Sequence, residues 1–443
     1  MKLPRYPEYR DSGVEWIGEI PSHWSVERLK KVVRFSGGGT PSRDNPEYWN
    51  GDIPWISPKD MKSEAVVSSE ESITTAGLAG SASSLVPPGR LLMVVRSGIL
   101  KHTIPVGINR MDVALNQDMK ALHPVGVRAG FLLRWVQGLN DRLLLVWAKQ
   151  GATVESIEYD YLSNSLVACP PDEEQSAIAT FLDRETGKID ALIAEQERLF
   201  VLLAEKRQAA ISHAVAKGLN PNVPKKDSGV QWLGDVPAHW DIVPLRYVSK
   251  IGNGSTPNRD NPAYWAEAGT PWLNSSVVNQ IEVTSSDQFV TPVALEECHL
   301  PVVTPPAILV GITGQGRTRG MVSPLKFDAT ISQHIAYVKP VASVLDVEYL
   351  QLFFECAYLR LREESDAAGS TKGAITCDRL SRLKVPIPPI DEQVDIAVQL
   401  RANLSKVDSL SDAAISSRGI LLERRAALIT AAVTGKIDVR EAS

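Results

Sequence analysis

Asp11-Ser-Gly-Val-Glu-Trp-Ile-Gly-Glu-Ile-Pro-Ser-His-Trp24 recurs as Asp227-Ser-Gly-Val-Gln-Trp-Leu-Gly-Asp-Val-Pro-Ala-His-Trp240, 216 residues further on. Thr40-Pro-Ser-Arg-Asp-Asn-Pro-Glu-Tyr-Trp49 returns at the same offset as Thr256-Pro-Asn-Arg-Asp-Asn-Pro-Ala-Tyr-Trp265. Pro54-Trp55 comes back as Pro271-Trp272, and Asn116-Gln117 as Ser332-Gln333. Pro170-Pro-Asp-Glu-Glu-Gln175 comes back as Pro388-Pro-Ile-Asp-Glu-Gln393. The period is about half of the 443 residues. That is far too long for a solenoid, so the chain is one module duplicated.

Each module has two parts. The first, residues 1–171 and again 222–390, is dense in Gly and Pro. Short β-branched runs such as Leu91–Val95 and Ala307–Val310 lie between turn signals, and Phe131–Val146 reads as helix. These are mixed α/β (α+β) domains. The second part comprises a helix and linker at 172–221 and a C-terminal helix at 391–443. Residues 172–217 and 391–434 hold no proline and are rich in Ala, Leu, Glu and Arg. The Pro-Pro pair ahead of each marks where extended chain gives way to helix.

Alternating steps of four and three place Ile178, Leu182, Ile189, Leu192, Leu199 and Leu203 on one stripe of the first helix. Ile396, Leu400, Val407, Leu410, Leu421 and Leu428 form the stripe of the second. One such helix would leave its stripe exposed, whereas two can bury each other as a coiled coil. About 40–45 residues at 1.5 Å each make a rod of roughly 60–65 Å. A whole globular domain separates the helices in sequence. Antiparallel pairing therefore puts the two domains at opposite ends, with pseudo-two-fold symmetry.

Composition narrows the function. Formal net charge is −5, so either DNA is not the partner, or basic residues act locally and other subunits supply the rest of the field. The four cysteines have no CxxC spacing, which argues against a zinc site or a disulfide framework. The opening residues lack an apolar signal core, and no apolar run has membrane-spanning length. A reducing cytoplasm is the expected location.

Motifs that could carry catalysis fail in context. Gly311-Ile-Thr-Gly-Gln-Gly316-Arg317-Thr318 resembles a phosphate loop, but Arg317 stands where lysine belongs, and Gly320 and Pro324 block the helix that must follow. Phe35-Ser-Gly-Gly-Gly39 and Asn45-Pro46-Glu47-Tyr48 resemble amino-methyltransferase motifs, yet they lie too close together to enclose that fold. No histidine pair has ligand spacing, and His23 and His239 read as aromatic packing in the Pro-x-His-Trp turn. No nucleophile, base and orienter can be assigned. The expectation is a chain with no catalytic residues, metal or cofactor of its own.

Residues kept in both halves cannot read two different things. Arg43, Asp44, Asn45 and Trp49, with Arg259, Asp260, Asn261 and Trp265, are therefore expected to be scaffold. The divergent basic loops are the candidates for DNA contact, because glycines allow close approach and Arg, Lys and Gln reach base edges and phosphates. In the first half these are Arg96, Ser97, Lys101 and His102; in the second, Thr313, Gln315, Arg317 and Arg319. A second pair of loops offers Ser57 and Lys59 against Asn274 and Ser275. A third offers Thr153 against Thr371 and Lys372. The competing readings are a one-chain nuclease or methyltransferase, and a coiled-coil scaffold without sequence choice.

The DSGVxWxGxxPxHW opening, the GGGTPSRDNPEYW segment, the PPxxEQ helix entry and the second copy of each resemble the specificity subunits of type I restriction-modification systems. The resemblance covers essentially the whole chain. It implies two target-recognition domains, each reading half of a split double-stranded DNA site. It implies that the helices set the gap and dock two methyltransferase (modification) subunits, which bind S-adenosylmethionine and methylate adenine. It further implies two restriction/translocase subunits that use ATP and Mg. Those partners can add phosphate contacts, which accounts for a reader that is not itself basic.

Overall fold

The computed structural model describes residues 4–149, 154–314, 316–366 and 373–440. The chain divides into two compact units, residues 1–197 with 415–443, and residues 198–414.

The first unit is built around a five-stranded sheet in the order Val33–Gly37, Met119–Pro124, Leu91–Val94, Val106–Asn109, Ala65–Val66. All neighbours are antiparallel except the last pair. Every side chain of Leu91–Val94 is buried, as a central strand covered on both faces requires. A smaller sheet pairs Trp49–Ile56 with Glu71–Ile73 and, in parallel, with Ala114–Leu115. The helical stretch expected at Phe131–Val146 is two helices, Ala129–Gly138 and Asn140–Trp147. They break beside Gly138, where a Cβ would meet Ile429 Cγ2 at 2.9 Å.

The second unit repeats this plan. Its main sheet runs Ser249–Asn253, Ile335–Pro340, Ala307–Gly311, Val322–Leu325, and its smaller sheet joins Thr270–Leu273 to Phe289–Val290 and Thr330–Ile331. Here the helical stretch is unbroken, Val347–Asp366.

The repeated motifs are repeated fastenings. In each opening motif an aspartate side chain accepts from the backbone two residues on, Gly13 N to Asp11 Oδ1 and Gly229 N to Asp227 Oδ1, both 2.9 Å. Gly13 and Gly229 take φ of +71° and +62°, which favours glycine. The glutamine of each PPxxEQ motif is buried. Gln175 Nε2 donates to Pro170 O at 2.9 Å and its Oε1 accepts from Arg128 N at 2.7 Å. Gln393 makes the same bonds to Pro388 O and Asp346 N, both 2.8 Å. The glutamate beside it reaches back to the opening motif: Glu174 Oε2 meets His23 Nε2, and Glu392 Oε2 meets His239 Nε2, at 2.8 Å each. The histidines are therefore helix fasteners as well as packing groups.

The long helices are Asp172–Lys217, of 46 residues, and Ile390–Val433, of 44. In the first unit Arg425 Nε pairs with Asp190 at 2.8 Å and Arg418 Nε with Glu197 at 3.0 Å. Seven residues forward on one helix match seven back on the other, so the pairing is antiparallel. In the second unit Arg207 Nε pairs with Asp408 at 3.3 Å, in the same register.

The phase of the stripe differs from the expected one. Ile178, Leu182, Ile189, Leu203, Ile396, Leu400 and Val407 are buried, and Leu421 and Leu428 are half-buried. Leu192, Leu199 and Leu410 are exposed, by 51%, 41% and 56%. The inward residues after Leu182 are Thr186, Ile189, Ile193 and Gln196, and after Leu400 they are Leu404, Val407, Ser411 and Ala414. In both helices the step of four precedes the step of three. Polar side chains take inward positions because they are satisfied locally: Thr186 Oγ1 donates to Leu182 O at 2.7 Å and Ser411 Oγ to Val407 O at 3.0 Å.

No helix among the described residues is long and apolar enough to cross a membrane. All four cysteines are free.

Candidate nucleic-acid interface

In the first unit, the loops after Trp55 and Val95 and the turn at Asn116–Asp118 converge on a cleft of about 970 Å³. Ser57, Lys59, Arg96 and Ser97 all line it, so two separate sequence candidates are brought together. Ser57 N and Oγ both donate to Asp60 Oδ2 at 2.8 Å, which fixes the short turn carrying Lys59. The Lys59 ammonium is exposed on that turn. Arg96 Nε donates to Asp118 Oδ1 at 2.6 Å while about half of its side chain stays exposed. Lys101 and His102 are exposed on the turn beyond Ser97 but do not line the cleft. That turn is tied instead to Asn140, whose Oδ1 accepts from Ile104 N at 2.8 Å.

Arg43 and Trp49, expected to be scaffold, do frame the cleft, together with a threonine–glutamine pair and Trp55 that the repeated motifs did not single out as site residues. Thr40 Oγ1 bonds to Gln117 Oε1, and Arg43 lies 3.8 Å over the Trp49 ring and 5.3 Å from that of Trp55. Trp49 and Trp55 meet edge to face at 5.3 Å. The second unit repeats each part. Thr256 bonds to Gln333, Arg259 lies over Trp265 and Trp272 at 4.1 and 4.7 Å, and those rings meet at 5.2 Å. The signal was available: both threonine–glutamine pairs are separated by 77 residues.

What stands on the frame differs between the units. In the second, Asn274 Oδ1 caps Ser276 N at 2.8 Å and leaves Ser275 half-buried. Thr313 Oγ1 lies 2.9 Å from His334 Nδ1, and Asn279 Nδ2 reaches Thr318 Oγ1 at 3.3 Å, joining the two loops. Arg317 is exposed, its carbonyl held by Tyr358 Oη at 2.9 Å. Arg319, expected to contact DNA, is instead 3% exposed and donates to Asp366 Oδ1 at 2.6 Å. It is a prop beneath the loop. Thr153, Gln315, Thr371 and Lys372 lie outside the described residues.

The glycine-rich stretch is a hairpin: Gly311 N donates to Met321 O at 2.9 Å and Gly320 N to Gly311 O at 2.8 Å. A strand follows where a phosphate loop needs a helix. Among the described residues, no group of three or more His, Cys, Asp or Glu side chains is placed to hold a metal ion.

A family model described as the type I restriction modification DNA specificity domain matches residues 21–198 and 237–411. The EcoR124I/EcoR124II specificity subunit of Escherichia coli is 35% identical over 187 residues, 42% of this chain and 45% of that one. The MjaIX specificity subunit of Methanocaldococcus jannaschii is 25% identical over 388 residues, 84% of this chain and 85% of that one. Among solved structures, a chain from a study of type I R-M complex assembly superposes with a TM-score of 0.73 at 15% identity, covering 94% of this chain and 98% of that one. The HsdS subunit of Thermoanaerobacter tengcongensis superposes with a TM-score of 0.53 at 17% identity, with the same coverage.

Proposed function

Since the chain belongs to the family of type I restriction-modification DNA specificity subunits, we propose that each of its two α/β domains reads one half of a bipartite, asymmetric double-stranded DNA site. The family is one of DNA-recognition subunits, not catalysts. The two long helices set the gap between half-sites and dock two methyltransferase subunits, which bind S-adenosylmethionine and methylate adenine. Two translocase subunits supply ATP- and Mg-dependent restriction. The complex works in the cytoplasm.

One observation supports this reading most. The two units share a Thr–Gln and Arg–Trp–Trp frame, yet set different side chains on it. Ser57, Lys59 and Arg96 stand in the first, and Asn274, Thr313 and Arg317 in the second. Two readers with one scaffold and two chemistries suit a site with two unlike halves, since base-edge contacts carry sequence choice and backbone contacts do not. The test exchanges residues 1–171 for the corresponding domain of a relative and maps methylated adenines. One half of the recognised sequence changes and the other stays; a change in both halves, or in neither, defeats the reading.

A further inference from the structure

The Arg–Trp–Trp frame has the same shape in both units but a different charge. In the first, the Arg43 guanidinium is paired with a carboxylate, although about half of the side chain stays exposed. Its face stacks on Trp49, and its Nη1 and Nη2 donate to the two oxygens of Glu71, Nη2 at 2.9 Å. Glu71 stands opposite Trp55 across the strand pair. In the second unit the residue opposite Trp272 is Gln288, whose carbonyl accepts from Trp272 N at 2.8 Å. Its amide side chain does not replace the carboxylate: Gln288 Oε1 is buried without a hydrogen-bond partner among the described residues. Arg259 keeps the stack, at 4.1 Å from Trp265 and 4.7 Å from Trp272. It is exposed, and no carboxylate pairs with it among the described residues.

A guanidinium held by its face presents its N–H edge, and that edge fits a phosphate bidentately. Stacking fixes the head, so little side-chain freedom remains to be lost on contact. Arg43 and Arg259 occur in both halves, so neither is suited to reading one half of an asymmetric site. A phosphate is the same at every step of the duplex.

We propose that Arg259 is a DNA-phosphate anchor of the second domain, and that Arg43, its structural counterpart, is withheld from DNA by Glu71. The proposal rests on the DNA-reading function above. It makes the two readers unequal, the second contributing one more salt-sensitive contact from this frame than the first.

The test measures binding of the complete complex with methyltransferase to cognate and non-cognate duplexes between 50 and 200 mM KCl. Each phosphate contact adds about −0.9 to the slope of log affinity against log salt, or about 3.5-fold over that range. R259A is expected to make the slope shallower by about one unit and to weaken both duplexes alike, with R259K restoring the slope. R43A is expected to leave the slope unchanged, whereas E71Q, which frees Arg43, makes it steeper. An unchanged slope in R259A with unaltered thermal melting overturns the proposal, as does a loss confined to the cognate duplex. Should the wild-type complex fail to prefer its cognate duplex, the DNA-reading function fails instead.

Discussion

Replacing Glu174 by alanine should damage the first unit far more than replacing Glu392 damages the second, although the two glutamates hold the same place in the repeat. Glu174 is 5% exposed and accepts from Tyr6 Oη, from Trp24 Nε1 at 3.0 Å and from His23 Nε2 at 2.8 Å. Tyr6 and Trp24 are themselves buried. E174A therefore strands two buried donors. At about 1–3 kcal/mol each, the loss is about 4 kcal/mol. Among the described residues, Glu392, 30% exposed, bonds only to His239, and Trp240 Nε1 already lacks a partner. E392A removes one partly exposed bond, worth about 1 kcal/mol or less. For a domain of this size, each kcal/mol moves the melting temperature about 2–4 °C. Differential scanning calorimetry should show E174A lowering one transition by about 8–16 °C and E392A lowering the other by no more than about 4 °C. Hydrogen exchange identifies which unit melts. Equal shifts for the two variants would refute the claim that the first clamp is the tighter.

Three further outcomes follow from the packing. L404A, at a buried inward position, should cost about 2–5 kcal/mol, whereas L410A, 56% exposed, should cost under about 1 kcal/mol in denaturant unfolding; comparable losses would restore the other phase of the stripe. G187A, with open space around an added Cβ in mid-helix, should stabilise by about 0.5–1 kcal/mol; G38A and G254A, whose Cβ would lie 2.0 Å from Asn116 O and 1.6 Å from Ile331 O, should yield little folded protein on expression. Burial raises the Glu64 carboxyl, but the Gln137 amide and the Arg134 guanidinium outweigh it and hold Glu64 below the ordinary carboxylate range. A depressed carboxylate stabilises fully above its unfolded pKa and loses that contribution as pH falls through the folded one. Wild type should therefore lose stability against E64Q as pH drops below about 4.3, read by melting temperature; a gap that widens on acidification is the opposite sign.

The fold was legible because the duplication shows each local device twice. The Asx turn of Asp11, the buried glutamine of PPxxEQ and the proline-free helices are local in sequence and readable from residue type. Stripe phase was not, since an apolar count cannot tell Leu192, which faces outward, from Ile193 one step on. The decision rests with Thr186 and Ser411, whose hydroxyls bond to their own helices. Within the candidate site, loops near Ser57 and Arg96 were found by divergence. Thr40 and Gln117 were not, because a pair 77 residues apart is set by strand register. Arg317 and Arg319 are two residues apart, and only the hairpin's shape decides that one faces outward while the other props the loop from beneath.

The central claim is that this chain supplies sequence choice from two unlike readers. Single-molecule mapping of methylated adenine, in DNA from cells carrying the chain with its methyltransferase partner, tests it most directly. Methylation is expected to be confined to one sequence of two unlike halves separated by a fixed number of unspecified bases. A single uninterrupted motif, two identical halves, or methylation without sequence preference would contradict it.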